Sequence, residues 1–193
     1  MRGYVFLKSV PVRLSPSNRA EMVNQLLYRD VVEVVEDNEE WTLIRSVHDG
    51  YQGWIDSRQI VRFESAAQLA ERFFLNMPYL WGGRGEGGID CSGLAQVCFA
   101  AMGVALPRDA SQQALLGKSV DVDKAVEDDL CFFENGEGRV VHVGICRGDG
   151  TVVHSSGWVR IDGLDGRGIF DRNSHVYSHK LHSVKRLTEV WCK

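Results

Sequence analysis

The chain has no apolar run approaching the roughly 18 to 20 residues of a bilayer-spanning helix, and Tyr4-Val5-Phe6-Leu7 is too short for the core of a secretion signal. A soluble globular protein with no membrane partner is therefore expected. Clusters of Lys and Arg are also missing, and the net charge is −4. Binding to a phosphate backbone rests on counterion release by a basic surface, so nucleic acid is not expected as a ligand. The five cysteines form no CxxC pair and no small-domain disulfide framework, and their number is odd. They read as reduced thiols, which places the protein in the cytoplasm. Internal repeats and a flexible Gly/Ser linker are absent as well, so two units joined near Phe63 to Ser65 are expected to pack against each other. What the chain does have is 44% hydrophobic residues over 193 positions, enough for one large or two small domains with a proper core.

Up to about Phe63 the pattern is of short strands, Val5 to Leu7, Val31 to Val35, Trp41 to Arg45 and Gly53 to Ile55, broken by turns such as Ser15-Pro16-Ser17-Asn18 and His48-Asp49-Gly50. Strands this short suit a small barrel that hides its own edges. Ser65 with Gln68 then reads as a capping box, and Ala66, Leu69, Ala70, Phe73 and Phe74 trace a helical face that Pro78 ends. Leu106-Pro107-Arg108-Asp109-Ala110 combines an extended X-Pro step with helix-start residues. Further on, Leu130-Cys131-Phe132-Phe133, Val140 to Cys146 and Thr151-Val152-Val153-His154 are strand-like, with a last strand near Val184 to Leu187.

The glycine-rich run Trp81-Gly82-Gly83-Arg84-Gly85-Glu86-Gly87-Gly88 leads through Ile89 and Asp90 to Cys91, after which Leu94, Val97, Cys98, Ala101 and Met102 recur at helical spacing and Gly103 supplies a stop. Cys91 is thus expected at a helix N-terminus, where free N–H groups favour the thiolate. Along Val140 to Cys146 alternation places His142 on one face and Val141, Val143 and Ile145 on the other. A turn at Arg147 to Gly150 centred on residue 148 would set His142 directly opposite His154. The Cβ atoms of such a pair lie about 4.5 to 5.5 Å apart, close enough for His154 to fix the tautomer of His142. A thiolate paired with an imidazolium is the nucleophile and acid of acyl transfer.

The residues Tyr79-Leu80-Trp81-Gly82-Gly83, Asp90-Cys91-Ser92-Gly93-Leu94, Leu106-Pro107-Arg108, Asp129-Leu130-Cys131-Phe132-Phe133 and His142-Val143-Gly144-Ile145 together resemble the NlpC-type, papain-like cysteine peptidases of bacterial cell-wall turnover. The run from Pro16 to Leu27 and Asp49-Gly50-Tyr51-Gln52-Gly53-Trp54-Ile55 resemble a bacterial SH3-like domain. The resemblance implies an α+β chain, with a small SH3-like β-barrel over residues 1–63 and a papain-like domain of helices packed on an antiparallel sheet over 64–193. It carries the family's triad onto Cys91, His142 and His154, and implies that Tyr79 donates to the oxyanion.

The pairing of these two domains is similar to that of the γ-D-glutamyl-L-diamino acid endopeptidases. By that likeness the substrate is a murein peptide, L-Ala-γ-D-Glu-diamino acid with a free amino terminus, cut during peptide recycling. Asp90 and Ser92, helped by Glu21 and Tyr51, would hold its amino group. One departure is Asp128, where the family usually has Gly.

Each residue also has a plainer reading. Cysteines favour cores, and Cys98, Cys131 and Cys146 are assigned to packing. Asp90 suits a helix cap, Glu21 a solvated charge and Tyr51 a barrel core. Competing functions are a non-catalytic wall-binding module and a related amidase or endopeptidase acting on intact wall. Cys91, His142 and His154 are also zinc-ligand types, but three is one short of a closed structural site. No metal, no cofactor and a monomer are expected.

Overall fold

The computed structural model describes residues 1–187, which form two compact units, Met1–Glu64 and the described residues from Ser65 on. The first is all β: β1 (Arg2–Val5), β2 (Ser9–Arg13), β3 (Met22–Leu27), β4 (Val31–Asp37), β5 (Trp41–Ser46), β6 (Gln52–Asp56) and β7 (Ile60–Phe63). They form one antiparallel sheet in the order β3-β2-β6-β5-β4-β1-β7. Val5, Val10, Val12, Leu26, Val32, Ile44, Ile55 and Ile60 make its core. Burial of each aliphatic side chain is worth about 1.5 to 3 kcal/mol. The first strand runs over Arg2–Val5 rather than from Val5, and β2, β3 and β7 join the strands that the sequence shows. Pro11, Asn24 and Gln25 mask β2 and β3, because they fall on strand faces that are not fully buried.

The second unit opens with α1 (Ala66–Leu69), which continues as a wider turn over Ala70–Phe74. The Ser65 side chain accepts from Gln68 N–H at 3.1 Å. The helical stretch stops at Phe74, four residues before Pro78, because Asn76 takes a left-handed conformation (φ 68°). Asp128 is left-handed too (φ 71°), which is why a glycine suits this position. Here the carboxylate accepts from the N–H groups of Ala66 (3.0 Å) and Ala67 (2.8 Å), so the side chain that strains its own backbone caps α1.

Next come β8 (Arg84–Gly85), β9 (Gly88–Ile89), α2 (Cys91–Ala101), α3 (Ala110–Gln113) and β10 (Lys118–Val120). The rest is sheet: β11 (Leu130–Glu134), β12 (Val140–Cys146), β13 (Thr151–Ser156), β14 (Trp158–Asp165), β15 (Gly168–Asp171) and β16 (Val176–Arg186). All pairings are antiparallel, in the order β10-β16-β11-β12-β13-β14-β15, and β15 also pairs with β16, so six of the strands close into a ring. α2 packs on β12 and β13 and is buried nearly all round, Ala95 and Phe99 included, where the spacing of its apolar residues suggested a single buried face. Gly103 (φ 87°) follows it as the left-handed stop. Among the described residues no helix is long and apolar enough to cross a membrane.

Candidate active site

Cys91 is the first residue of α2 and is 8% exposed. Its approach is fixed by Asp90, the N-cap, whose Oδ1 accepts from Gly93 N–H at 2.7 Å and whose Oδ2 accepts from Gly82 N–H at 2.8 Å. Gly93 is required here, since a Cβ would strike the Gly83 carbonyl and come within 2.9 Å of Asp90 Oδ1. The glycine-rich loop is therefore a clamp on the helix start.

The Arg108 guanidinium grips both Asp90 oxygens, Nη1 on Oδ1 at 3.0 Å and Nη2 on Oδ2, and Nη1 also reaches Ser92 Oγ at 2.8 Å. Ser92 Oγ in turn donates to Asp90 Oδ1 at 3.3 Å. Burial works against the Asp90 charge, but Arg108 and the two N–H groups outweigh it and lower its pKa. Asp90 is thus a helix cap and an anchor for Arg108, and with Ser92 it lines the cavity that holds the thiol. Arg108 stands in a motif visible in the sequence, but nothing local marks its partner 18 positions away.

Burial is also the main influence on the Cys91 thiol and raises its pKa, helped by the neighbouring Asp90 charge and opposed by the N–H groups of Val143, Ser92 and Cys91 itself. The helix end alone predicts a lowered value. Depth in the core reverses the sign. The Val143 contact sets the thiol against β12, one residue along from His142. Tyr79, partly buried, has a raised pKa, first by burial and then by the Cys91 and Asp90 charges, so its hydroxyl stays protonated beside the thiol. Tyr79, Asp90, Cys91, Ser92 and Arg108 line one cavity of ≈ 460 Å³.

His142 and His154 are 6% and 1% exposed, and His142 Nε2 lies 2.9 Å from His154 Nδ1. They are not directly opposite. The hairpin pairs Gly144 with His154, so it centres on residue 149 rather than 148. Gly148 and Gly150 turn the chain with φ of 77° and 76°, and Arg147 N–H donates to Thr151 O at 3.1 Å. The imidazoles meet diagonally. Gly144 leaves the space for this, since a Cβ there would come within 3.1 Å of the His154 Cβ. His154 Nε2 continues to Asp162 Oδ2 at 3.1 Å, again diagonally, on β14.

Asp162 fixes the protons along this line. Burial would raise its pKa, but His154, the Arg172 N–H and Arg160 together hold it well below the usual carboxylate range. An ionised carboxylate only accepts, so His154 carries its proton on Nε2. In the neutral ring Nδ1 then accepts from His142 Nε2–H, which leaves His142 Nδ1 with a bare lone pair. His142 is itself kept neutral, its pKa driven well below 6.5 by burial, then by His154 and His179. His179 stacks on it with ring centroids 4.2 Å apart and planes 24° from parallel. Burial lowers the His179 pKa to about 4.

The second unit therefore brings Cys91, Tyr79, Asp90 and Ser92 to one cavity, and His142 and His154 to one relay. Arg108, Asp162 and His179 are the members that sequence reasoning left out. Glu21 and Tyr51 belong to the first unit, where both are exposed, Tyr51 at 42%, so Tyr51 is no core aromatic. Cys98, Cys131 and Cys146 are buried, in keeping with packing. Among the described residues no group of three or more His, Cys, Asp or Glu side chains is arranged to hold a metal ion.

Two family profiles match: "NlpC/P60 family" over residues 76–178 and "Bacterial dipeptidyl-peptidase Sh3 domain" over residues 12–60. The chain is 48% identical over 85 residues to a gamma-D-glutamyl-L-lysine dipeptidyl-peptidase of Bacillus subtilis, a match covering 43% of this chain and 29% of that one. It is 38% identical over 86 residues to the protein of the same name from Bacillus cereus, covering 44% and 26%. The matches thus span less than a third of each relative. A crystal structure of a NlpC/P60 family protein from Bacillus cereus shares the fold with a TM-score of 0.57 at 22% identity, covering 100% of this chain and 63% of that one.

Proposed function

The chain belongs to the NlpC/P60 family, and from that premise we propose that it is a cysteine endopeptidase cutting the γ-D-Glu to diamino acid bond of murein peptides with a free N-terminal L-Ala. The observation that carries this is the line Asp162–His154–His142, which leaves His142 Nδ1 bare on the strand against which the Cys91 thiol rests.

In this reading His142 Nδ1 takes the thiol proton as Cys91 Sγ attacks the γ-carbonyl carbon. The negative charge on the carbonyl oxygen meets the Tyr79 hydroxyl and a backbone N–H at the start of α2. The imidazolium protonates the departing amine, the C–N bond breaks, and a thioester remains on Cys91. Water then attacks the thioester with His142 again as base, releasing the acid and restoring the thiol. His154 and Asp162 hold the His142 tautomer throughout and bear part of its transient charge.

Support for the substrate class comes from the names of the two relatives and from the matching SH3 domain. Recognition of the amino group by Asp90 and Ser92, helped by Glu21 and Tyr51, is part of the proposal, as are peptide recycling, which follows from the likeness to those relatives, and a cytoplasmic site, which rests on cysteines read as reduced thiols. The test is L-Ala-γ-D-Glu-L-Lys against its N-acetylated twin. Release of lysine from the first only is expected, and equal cleavage removes the amine requirement. Cys91→Ala should lower kcat on the order of 10⁴-fold or more, and unchanged turnover ends the mechanism.

A further inference from the structure

The cavity that holds Cys91 is one of three in the second unit that share walls in series. Tyr79 and Val141 belong both to it and to a neighbour of ≈ 280 Å³ that contains His142. Val141 and His179 belong both to that neighbour and to a third cavity, of ≈ 670 Å³. A single groove results, with the thiol at one end, the imidazole in the middle and the third cavity beyond.

Chemistry orients a peptide along this groove. The acyl carbon must bond to Cys91 Sγ, so the acyl half lies over the thiol cavity. The departing nitrogen must take its proton from His142, so whatever is attached to it extends past the imidazole. The third cavity is therefore on the leaving-group side. Its charged lining is Arg167, Lys180 and Glu134. Lys180 Nζ is matched by Glu134 Oε1 at 2.6 Å. Arg167 is held differently: its guanidinium lies 4.1 Å above the Tyr177 ring, its contact with Asp165 is a long 3.4 Å, and its side chain is 74% exposed. A guanidinium parked on an aromatic face is pre-positioned and keeps donors open for a planar anion.

We propose that this cavity is the subsite for the leaving amino acid and that Arg167, seconded by Lys180, binds its free α-carboxylate. The inference rests on the peptidase reading above and extends it: the enzyme selects peptides in which the diamino acid is the last residue. A carboxylate converted to an amide, or extended by a further residue, loses the fork contact with Arg167.

The experiment compares L-Ala-γ-D-Glu-L-Lys with its C-terminal amide, using the full chain, Arg167→Gln and Lys180→Gln. The wild type should prefer the acid by about tenfold in kcat/KM, mainly through KM, the scale of one charge-assisted contact. In Arg167→Gln the acid-to-amide ratio should fall to near one, and in Lys180→Gln it should fall part of the way. A wild-type ratio of one overturns the subsite, and a tenfold ratio kept in Arg167→Gln overturns the assignment to that side chain. Equal loss on both peptides also overturns it, because it reports a general disturbance of the sheet. Failure of the wild type to cut either peptide is a separate result that removes the peptidase reading itself.

Discussion

Replacing Asp162 by Asn tests the central relay with almost no change in shape. The carboxylate sets the tautomer of two rings because it can only accept. An amide can turn either its oxygen or its NH₂ to His154 Nε2, and the second choice moves every proton in the line so that His142 Nδ1 carries a hydrogen and can no longer act as base. A hydrogen bond to a charged group is worth about 1.5 to 3 kcal/mol, and each 1.36 kcal/mol is tenfold in rate. The loss in kcat/KM should therefore be about 10- to 150-fold, carried by kcat. Arg160 also loses a partner, but keeps Asp171 at 2.7 Å, so Asp171→Asn is the control: it disturbs Arg160 and leaves the relay intact. The assay is kcat and KM on the tripeptide, with imidazole ¹⁵N shifts to read the tautomers and a denaturant melt to confirm folding. The sign for stability follows from a depressed carboxyl pKa: the contribution of Asp162 is present above its unfolded value of about 3.9 and is lost as pH falls through the folded value. A folded Asp162→Asn enzyme with full kcat/KM, or an Asp171→Asn enzyme that loses as much, refutes the relay.

The neutral resting pair predicts that alkylation of Cys91 by iodoacetamide rises with pH through a midpoint above the ordinary thiol value of 9.0. A rate already at plateau between pH 5 and 7 would reveal a thiolate–imidazolium pair and contradict the burial argument. Gly144→Ala should disturb the His154–His142 contact, because its Cβ would stand 2.4 Å from Val152 Cγ2 and 3.1 Å from the His154 Cβ, forcing β13 to shift; a fall in kcat with KM little changed is the expected kinetic result, and unaltered kcat counts against the diagonal contact. Asp128→Ala loses the α1 cap while keeping the left-handed backbone, and should cost about 1 to 3 kcal/mol by denaturant midpoint. Asp128→Gly should cost clearly less, and equal losses would show that strain plays no part.

The thiol and its helix were legible in the sequence because a turn-rich run, a capping Asp and helical spacing after Cys91 all agree locally. His142 and His154 were legible as lone histidines on strands. Their register was not, since the turn is set by two left-handed glycines around Asp149, and a shift of one residue in its centre turns direct opposition into a diagonal. Asp162 and His179 escaped because their partners lie on other strands and nothing in their own neighbourhood marks them. The thiol pKa was misjudged for a related reason: a helix end can be read from spacing, whereas 8% exposure of Cys91 depends on everything packed over it.

The strand ring carries a last consequence. His142, His154 and Asp162 stand on β12, β13 and β14, three consecutive members of one ladder, and His179 comes from β16 in the same ring. The geometry of the base is thus inherited from backbone pairing rather than from a mobile loop. On slow heating, turnover should vanish together with the sheet, leaving no window in which the protein is folded but idle. Any tuning of the proposed activity by temperature or crowding then has to act on substrate access, not on the base.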